Sequence, residues 1–253
     1  MPGVRIVSLA PNTTEALFAL GLGKHVVGVS RYCDYPEQAK LLPRVGGFVD
    51  PSLEGILALQ PDWVIGARSP SNRGVVKKLG ARGIRTWFPT VERIPDVYAL
   101  LRGIGDRWGR QAAANRMVLS MQRELSDIEK QYHKSRKPRV LLLFSEKPLS
   151  AAGPRSLGDA MISHAQAQNA IQSGSAYPML GMEQLFSLAP DVIVLARHTT
   201  APPRKMMLTE SQYASLEAVQ HGRILTLRDD RLLRPGPRIV EGIRVLARAI
   251  HGH

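Results

Sequence analysis

Two stretches of this sequence spell the same structural instruction. Residues 54–68 read EGILALQPDWVIGAR and residues 183–197 read EQLFSLAPDVIVLAR, with Glu, Leu, Pro, Asp, Ala and Arg matching in place. In each copy an apolar run at helical spacing (Ile56, Leu57, Leu59; Leu185, Phe186, Leu188) meets a proline that cannot continue a helix. An aspartate makes the turn. An unbroken apolar run follows (Trp63, Val64, Ile65; Val192, Ile193, Val194), the pattern of a strand buried on both faces. Helix, tight turn and buried strand form half of an α/β unit. Present twice in one chain, the unit predicts two related lobes.

The rest of the chain fits around these copies. Val4 to Leu9 reads as a strand, and Asn12 or Thr13 can cap a helix to about Leu20, with Glu15 at capping-box distance from Asn12. Val26 to Ser30 and Ile84 to Phe88 read as further strands, and Gly74 to Leu79 as a helix. Gly46-Gly47-Phe48 is a flexible loop carrying an aromatic, and Asp50 or Ser52 caps the first repeat. Alternation of this kind predicts a small parallel sheet.

It breaks between residues 95 and 134. Val97, Leu101, Ile104 and Trp108 keep helical spacing, Gly109 interrupts, and Ala114, Met117, Met121, Leu125, Ile128 and Tyr132 continue a second helical face. A helix from Arg110 to Lys134 would be about 37 Å long, which suits a strut between lobes. Alternation then resumes. Val140 to Phe144, Val192 onward and Ile224 to Leu227 read as strands, with a loop over Ser145 to Arg155 and helices over Leu157 to Ala165, Ser211 to Gln220 and Ile239 to Ile250. A Pro-rich loop surrounds Ala201 to Arg204. The expected domains are an N-terminal α/β lobe over 1–94, a linking helical segment over 95–136 and a C-terminal α/β lobe over 137–253.

Several function classes lose support here. The chain has 253 residues, 44% of them apolar, so intrinsic disorder is not expected. No apolar run of about 18 residues exists to span a membrane. Cys33 is the single cysteine, which excludes an internal disulfide or a Cys-rich metal site. The net charge of +13 raises nucleic acid as a partner, yet Lys and Arg are spread through every segment without aromatic interleaving, so none is expected. Gly21 and Gly23 follow a helix, whereas a dinucleotide fingerprint needs glycines directly after a strand. No nucleophile–base pair, His-Glu-x-x-His motif or phosphate loop occurs, and the seven histidines lack ligand spacing. A binding protein is expected, not an enzyme, with no resident cofactor or metal. The N-terminus shows no leader, so the chain is either cytosolic or lacks a trimmed secretory leader.

Ligands of open parallel sheets bind at the carboxyl ends of strands. Here those ends lead into loops rich in Arg, Tyr and Pro. The order VSLAPNTTE, VGVSRYCDYP, LEGILALQPD resembles the helical-backbone substrate-binding proteins of ABC importers, and within them the vitamin B12 binders, over nearly the whole chain. The resemblance implies two Rossmann-like lobes with small parallel sheets joined by one long helix, and a ligand clamped between the lobes. It implies a monomer that partners the importer's membrane subunits, placed in the periplasm after leader removal, carrying cobalamin, a ferric siderophore or haem. A cytosolic α/β enzyme is the alternative from another class.

Carried over by position, Tyr32 is a cleft aromatic, Phe48 and Tyr177 stand where the B12 binders have Trp, and Asp230 matches a polar contact. Asn12, Arg68 and Arg231 complete the expected ligand-binding set, while Tyr35 is expected to pack its own turn. Ala67 and Arg231 replace aromatic positions. With Arg31, Arg68, Arg197 and Arg228 nearby, that substitution predicts a more cationic site suited to anions. Glu54 and Glu183, one per repeat, match the family's surface carboxylates that dock on permease arginines. Two fixed negative charges on a basic protein give orientation and specificity.

Overall fold

The structure is a computed structural model that describes residues 3–201, 208 and 213–252. It divides into two compact units, Met1–Ser120 and Met121–His253, each built on its own sheet. The fold is mixed α/β, with parallel strands at the centre of both sheets.

In the first unit the chain alternates β1 (Ile6–Ser8), α1 (Pro11–Ala19), β2 (Val26–Val29), α2 (Glu37–Lys40), α3 (Leu53–Ala58), β3 (Trp63–Ile65), α4 (Arg73–Gly80), β4 (Arg85–Trp87) and α5 (Ile94–Trp108). The strands are ordered β2-β1-β3-β4 and every pair is parallel. Val7, Leu9, Val45, Ile56, Val64 and Leu79 form a buried cluster between the sheet and its helices. Capping differs from expectation at α1. The helix begins on Pro11 with Ala10 as the capping residue and no side-chain cap, because a proline's fixed φ suits the first helical position, where its missing N–H is not needed. Ser52 caps α3 as expected, accepting from the Gly55 N–H at 3.0 Å.

Gly109, at φ +63°, ends α5 in a left-handed turn. α6 (Gln111–Gln131) follows, shorter than expected at about 31 Å. Its buried stripe is Ala114, Val118, Met121, Leu125 and Ile128, continued by Tyr132 just beyond its end, so Val118 takes the place that the spacing gave to Met117. The division between the two units falls inside this helix.

The second unit holds β5 (Arg139–Glu146), β6 (Leu149–Ala151), α7 (Leu157–His164), β7 (Gln168–Asn169), β8 (Met179–Leu180), α8 (Met182–Leu188), β9 (Val192–Arg197), α9 (Glu217–Gln220), β10 (Ile224–Arg228) and α10 (Ile239–His251). β10, β9 and β5 are parallel neighbours, and β7 adds a short parallel pairing to β5. The loop expected over Ser145 to Arg155 is instead mostly a hairpin. β5 runs on to Glu146 and turns into β6, which pairs antiparallel with β5 and then with β8. Ser145 and Glu146 read as loop in a sequence; pairing with Ser150 and Leu149 of β6 makes them the end of β5. The Pro-rich loop near Ala201 to Arg204 lies largely outside the described residues, as does the start of the helix expected from Ser211.

The sequence repeat is also a structural one. Gln60 and Ala189, at equivalent positions, both take positive φ (45° and 39°), which turns the chain out of α3 and α8 ahead of each proline. Asp62 accepts from the Arg5 backbone N–H at 2.8 Å, and its own N–H donates to the Arg5 carbonyl at 2.9 Å. Arg5 in turn donates to the Leu59 carbonyl at 2.8 and 3.0 Å, closing the helix end. The second copy repeats this: Asp191 accepts from the Arg139 N–H at 2.7 Å, and Arg139 donates to the Leu188 carbonyl at 2.8 Å. Each clamp ties the amino end of a central strand to the helix and strand of the repeat. Replacing Asp191 by Ala strands the Arg139 N–H and should lower stability by about 1–2 kcal/mol; Asp191→Asn, which keeps an acceptor, should lose less. Urea denaturation of the two variants checks the ranking.

Candidate ligand-binding site

In the first unit the loops at the carboxyl ends of β1, β2 and β3 are built on buried polar residues. Ser8, Thr13 and Thr14 link hydroxyls at 2.8 Å, and Thr14 reaches the Cys33 sulfur at 3.1 Å. Burial pushes the Cys33 thiol up from its ordinary value, against the hydrogen bonds of Ser30 and Thr14. Cys33 anchors the turn after β2 from below. Arg44 clasps the same turn, donating to the carbonyls of Ser30 and Cys33 at 2.9 and 2.7 Å. Tyr32 stands on this turn with half its surface exposed, and Tyr35 is exposed nearby.

The Gly46–Pro51 loop folds beside it. Arg31 donates its backbone N–H to Gly46 O at 2.8 Å, and its guanidinium pairs with Asp50 at 2.5 Å. A Cβ at Gly47 would lie 2.2 Å from the Asp50 carboxylate, so a side chain there would displace that carboxylate from its place beside Arg31. Phe48 is half-buried at the loop tip. Asn12 is buried and turns its side-chain carbonyl to the Thr13 N–H at 2.9 Å. Arg68, after β3, is exposed, and no ion pair holds it among the described residues.

In the second unit Tyr177 is held in place by backbone. Gly153 and Ala151 donate to the carbonyls of Ala176 and Pro178 at 2.9 and 3.1 Å, and a Cβ on Gly153 would collide with Ser175 O. The ring lies exposed, 6.1 Å from that of Phe144. Asp230 sits on a short 3-10 turn after β10 (Asp230–Leu232). Its Oδ1 accepts from His198 Nδ1 at 2.7 Å and its Oδ2 faces Arg234 at 3.6 Å. Spacing could not reveal the His198–Asp230 pair, because parallel pairing of β9 with β10 brings together residues distant in sequence.

The arginines correct the expected cationic site. Arg31 is paired with Asp50, and Arg197 with the buried Glu146 at 2.9 Å. Arg231 lies against both Asp229 and Glu241, at 2.5 and 2.8 Å. Its hydrogen bonds to Asp229 raise the Arg231 guanidinium above its ordinary value, against the effect of burial. Of the arginines counted from the sequence, Arg68 and Arg228 alone lack a carboxylate among the described residues. A count of arginines in loops overstated the positive charge because each of these three has a carboxylate beside it, Asp229 from the same loop as Arg231 and Asp50, Glu146 and Glu241 from elsewhere in the chain.

Glu54 and Glu183 are both exposed in the first turns of α3 and α8, and neither forms an ion pair among the described residues. Helix starts favour negative charge, which suits acidic residues at both positions. A 470 Å³ open pocket in the second unit lies at the opposite, amino-terminal ends of the strands, between Pro138, Asp191 and Arg223. It includes none of the expected ligand-binding residues.

Residues 6–231 match the model of the family described as periplasmic binding protein. The chain belongs to the periplasmic binding protein family. It is 30% identical to an uncharacterised ABC transporter substrate-binding lipoprotein of Bacillus subtilis, YvrC, over 98% of this chain and 80% of that protein. Among solved structures it is similar to the periplasmic heme-binding protein RhuT of a Roseiflexus species in apo form (TM-score 0.86, 26% identity, 99% and 98% of the two chains). It is also similar to the periplasmic vitamin B12 binding protein BtuF of Vibrio cholerae (TM-score 0.82, 28% identity, 98% and 97%). This periplasmic binding protein is of the ABC-importer substrate-binding class.

Burial pushes the Asp229 carboxyl up, but the hydrogen bonds and charge of Arg231 outweigh it and hold it below its ordinary 3.8. A carboxylate depressed in the folded state adds stability above its unfolded value and loses it as pH falls through the folded one. Wild type should therefore exceed Asp229→Asn in stability at neutral pH. The gap should close as pH drops below about 4, read from denaturation midpoints of both proteins across pH.

Proposed function

We propose that this protein captures a corrinoid such as cobalamin, as a monomer outside the cytoplasm, and delivers it unchanged to the membrane subunits of an ABC importer. The observation that carries the choice of cargo is the pairing of three arginines with carboxylates at the carboxyl ends of the strands. With Arg31, Arg197 and Arg231 all held by carboxylates, the loops suit a bulky ligand without strong net negative charge. Tyr32, Phe48 and Tyr177 offer ring surface to a flat macrocycle. The likeness to a vitamin B12 binder supports the same reading. Haem or a ferric siderophore is the second reading, supported by the likeness to a heme-binding protein and by Arg68 and Arg228, which have no carboxylate partner among the described residues.

Titration with cyanocobalamin, haemin and a ferric catecholate, followed by equilibrium dialysis, separates these cargoes; returned ligand should be chemically unaltered. Cyanocobalamin is expected to bind tightest. Tyr32→Ala and Tyr177→Ala should each weaken it by up to about tenfold, the scale of one lost ring contact. Tighter haemin binding would instead select the second reading.

Docking is assigned to Glu54 and Glu183. Their equivalent places in the two repeats, and the absence of an ion pair to either among the described residues, suit recognition by permease arginines. In cells or proteoliposomes holding the cognate permease, Glu54→Ala with Glu183→Ala should abolish uptake while ligand affinity and melting temperature stay at wild-type values. Uptake that survives the double change removes these residues from docking.

A further inference from the structure

We propose that His198 is an imidazole donor to the metal centre of the cargo, coordinating through Nε2 while Asp230 holds the ring from behind. This rests on the reading of the cargo as a metal macrocycle. His198 follows directly on β9, whose last residue, Arg197, is fixed by Glu146 at 2.9 Å and registered opposite Arg228 of β10. Asp229 also donates its N–H to the Arg197 carbonyl at 3.1 Å. The base of the loop is therefore rigid. Asp230 projects from the adjoining turn with its side chain only 14% exposed, and its Oδ1 accepts from His198 Nδ1 at 2.7 Å and from the Thr199 N–H at 3.4 Å.

A carboxylate oxygen facing Nδ1 acts as acceptor, so Nδ1 carries the hydrogen and Nε2 is the nitrogen left to face a ligand. The His198 side chain is 60% exposed, and nothing among the described residues bonds Nε2. A histidine serving only to tie two loops together would bury its ring. A carboxylate behind an outward Nε2 is instead the arrangement that orients an imidazole toward a metal and strengthens it as a donor. Among the described residues no three His, Cys, Asp or Glu side chains gather to hold a bare ion. One histidine cannot retain such an ion alone. The metal must arrive already chelated, with an axial position open to exchange, as in a corrin or a porphyrin. On binding, water leaves the metal and the Nε2 lone pair replaces it; no electron is transferred. Asp230 then acts as a positioning residue, which gives its match to the family's polar contact a different role.

Aquocobalamin is the probe, because its axial water exchanges and its visible bands move when nitrogen replaces oxygen on cobalt. Bound to the wild-type protein it should show the nitrogen-ligated spectrum. His198→Ala should lose that shift and regain it on addition of free imidazole. Asp230→Asn should bind aquocobalamin about tenfold or more weakly, with melting temperatures checked by circular dichroism. Tight binding with an unshifted spectrum, or a shift that persists in His198→Ala, overturns the assignment and leaves the proposed function standing. If aquocobalamin does not bind, the corrinoid reading fails, and haemin tests His198 by the same comparison of iron spectra. Failure of both macrocycles to bind overturns both proposals.

Discussion

An aspartate directly after a proline, bonded to the backbone of a neighbouring strand, sets the register of both sheets. Asp62 and Asp191 each exchange hydrogen bonds with the residue that opens a central strand, Arg5 and Arg139. Those arginines close the end of the preceding helix. In a parallel sheet a slip of one residue moves every side chain to the opposite face. Polar pairing at the strand entrance is a positional constraint that Val, Ile and Leu, which are interchangeable in packing, cannot supply. With the entrances fixed, the strands deliver their carboxyl ends at set heights, and the functional loops begin there.

Those loops share a second property, the cancellation of charge by residues from separate segments. Arg31 meets Asp50, Arg197 meets Glu146, and Arg231 meets Asp229 and Glu241. A partly buried guanidinium needs such partners, because leaving water unpaired costs more than the pairing returns. The result is a strongly basic protein in which three arginines of these loops are matched by carboxylates, while Arg68 and Arg228 have none among the described residues. The two exposed glutamates of the repeat stand out against that basic background.

The two units also differ in how they finish their sheets. The first stops at four parallel strands, whereas the second extends past β5 through an antiparallel hairpin to β8. That extension supports Tyr177, through backbone bonds that require Gly153 to lack a side chain. The equivalent support for Phe48 in the first unit is a compact loop locked by Arg31 and Asp50. Related halves have thus reached a similar end, an aromatic presented from a stiff base, by unrelated local means.

The sequence by itself determined the elements whose signals are local. The repeat, the alternation of strand and helix, the break at Gly109 and the Ser52 cap are each written in contiguous residues, because periodicity and turn chemistry act over a few positions. What only the tertiary structure decided are contacts between segments far apart in the chain. The Asp62–Arg5 clamp, the antiparallel turn-back of β5 onto β6, the Arg31–Asp50 and Arg197–Glu146 pairs, and the His198–Asp230 pair all depend on which segments become neighbours. Charge and hydrogen bonding act through space over a few ångströms, so a residue's chemistry follows from its neighbours in the fold, and the order of the chain does not state them.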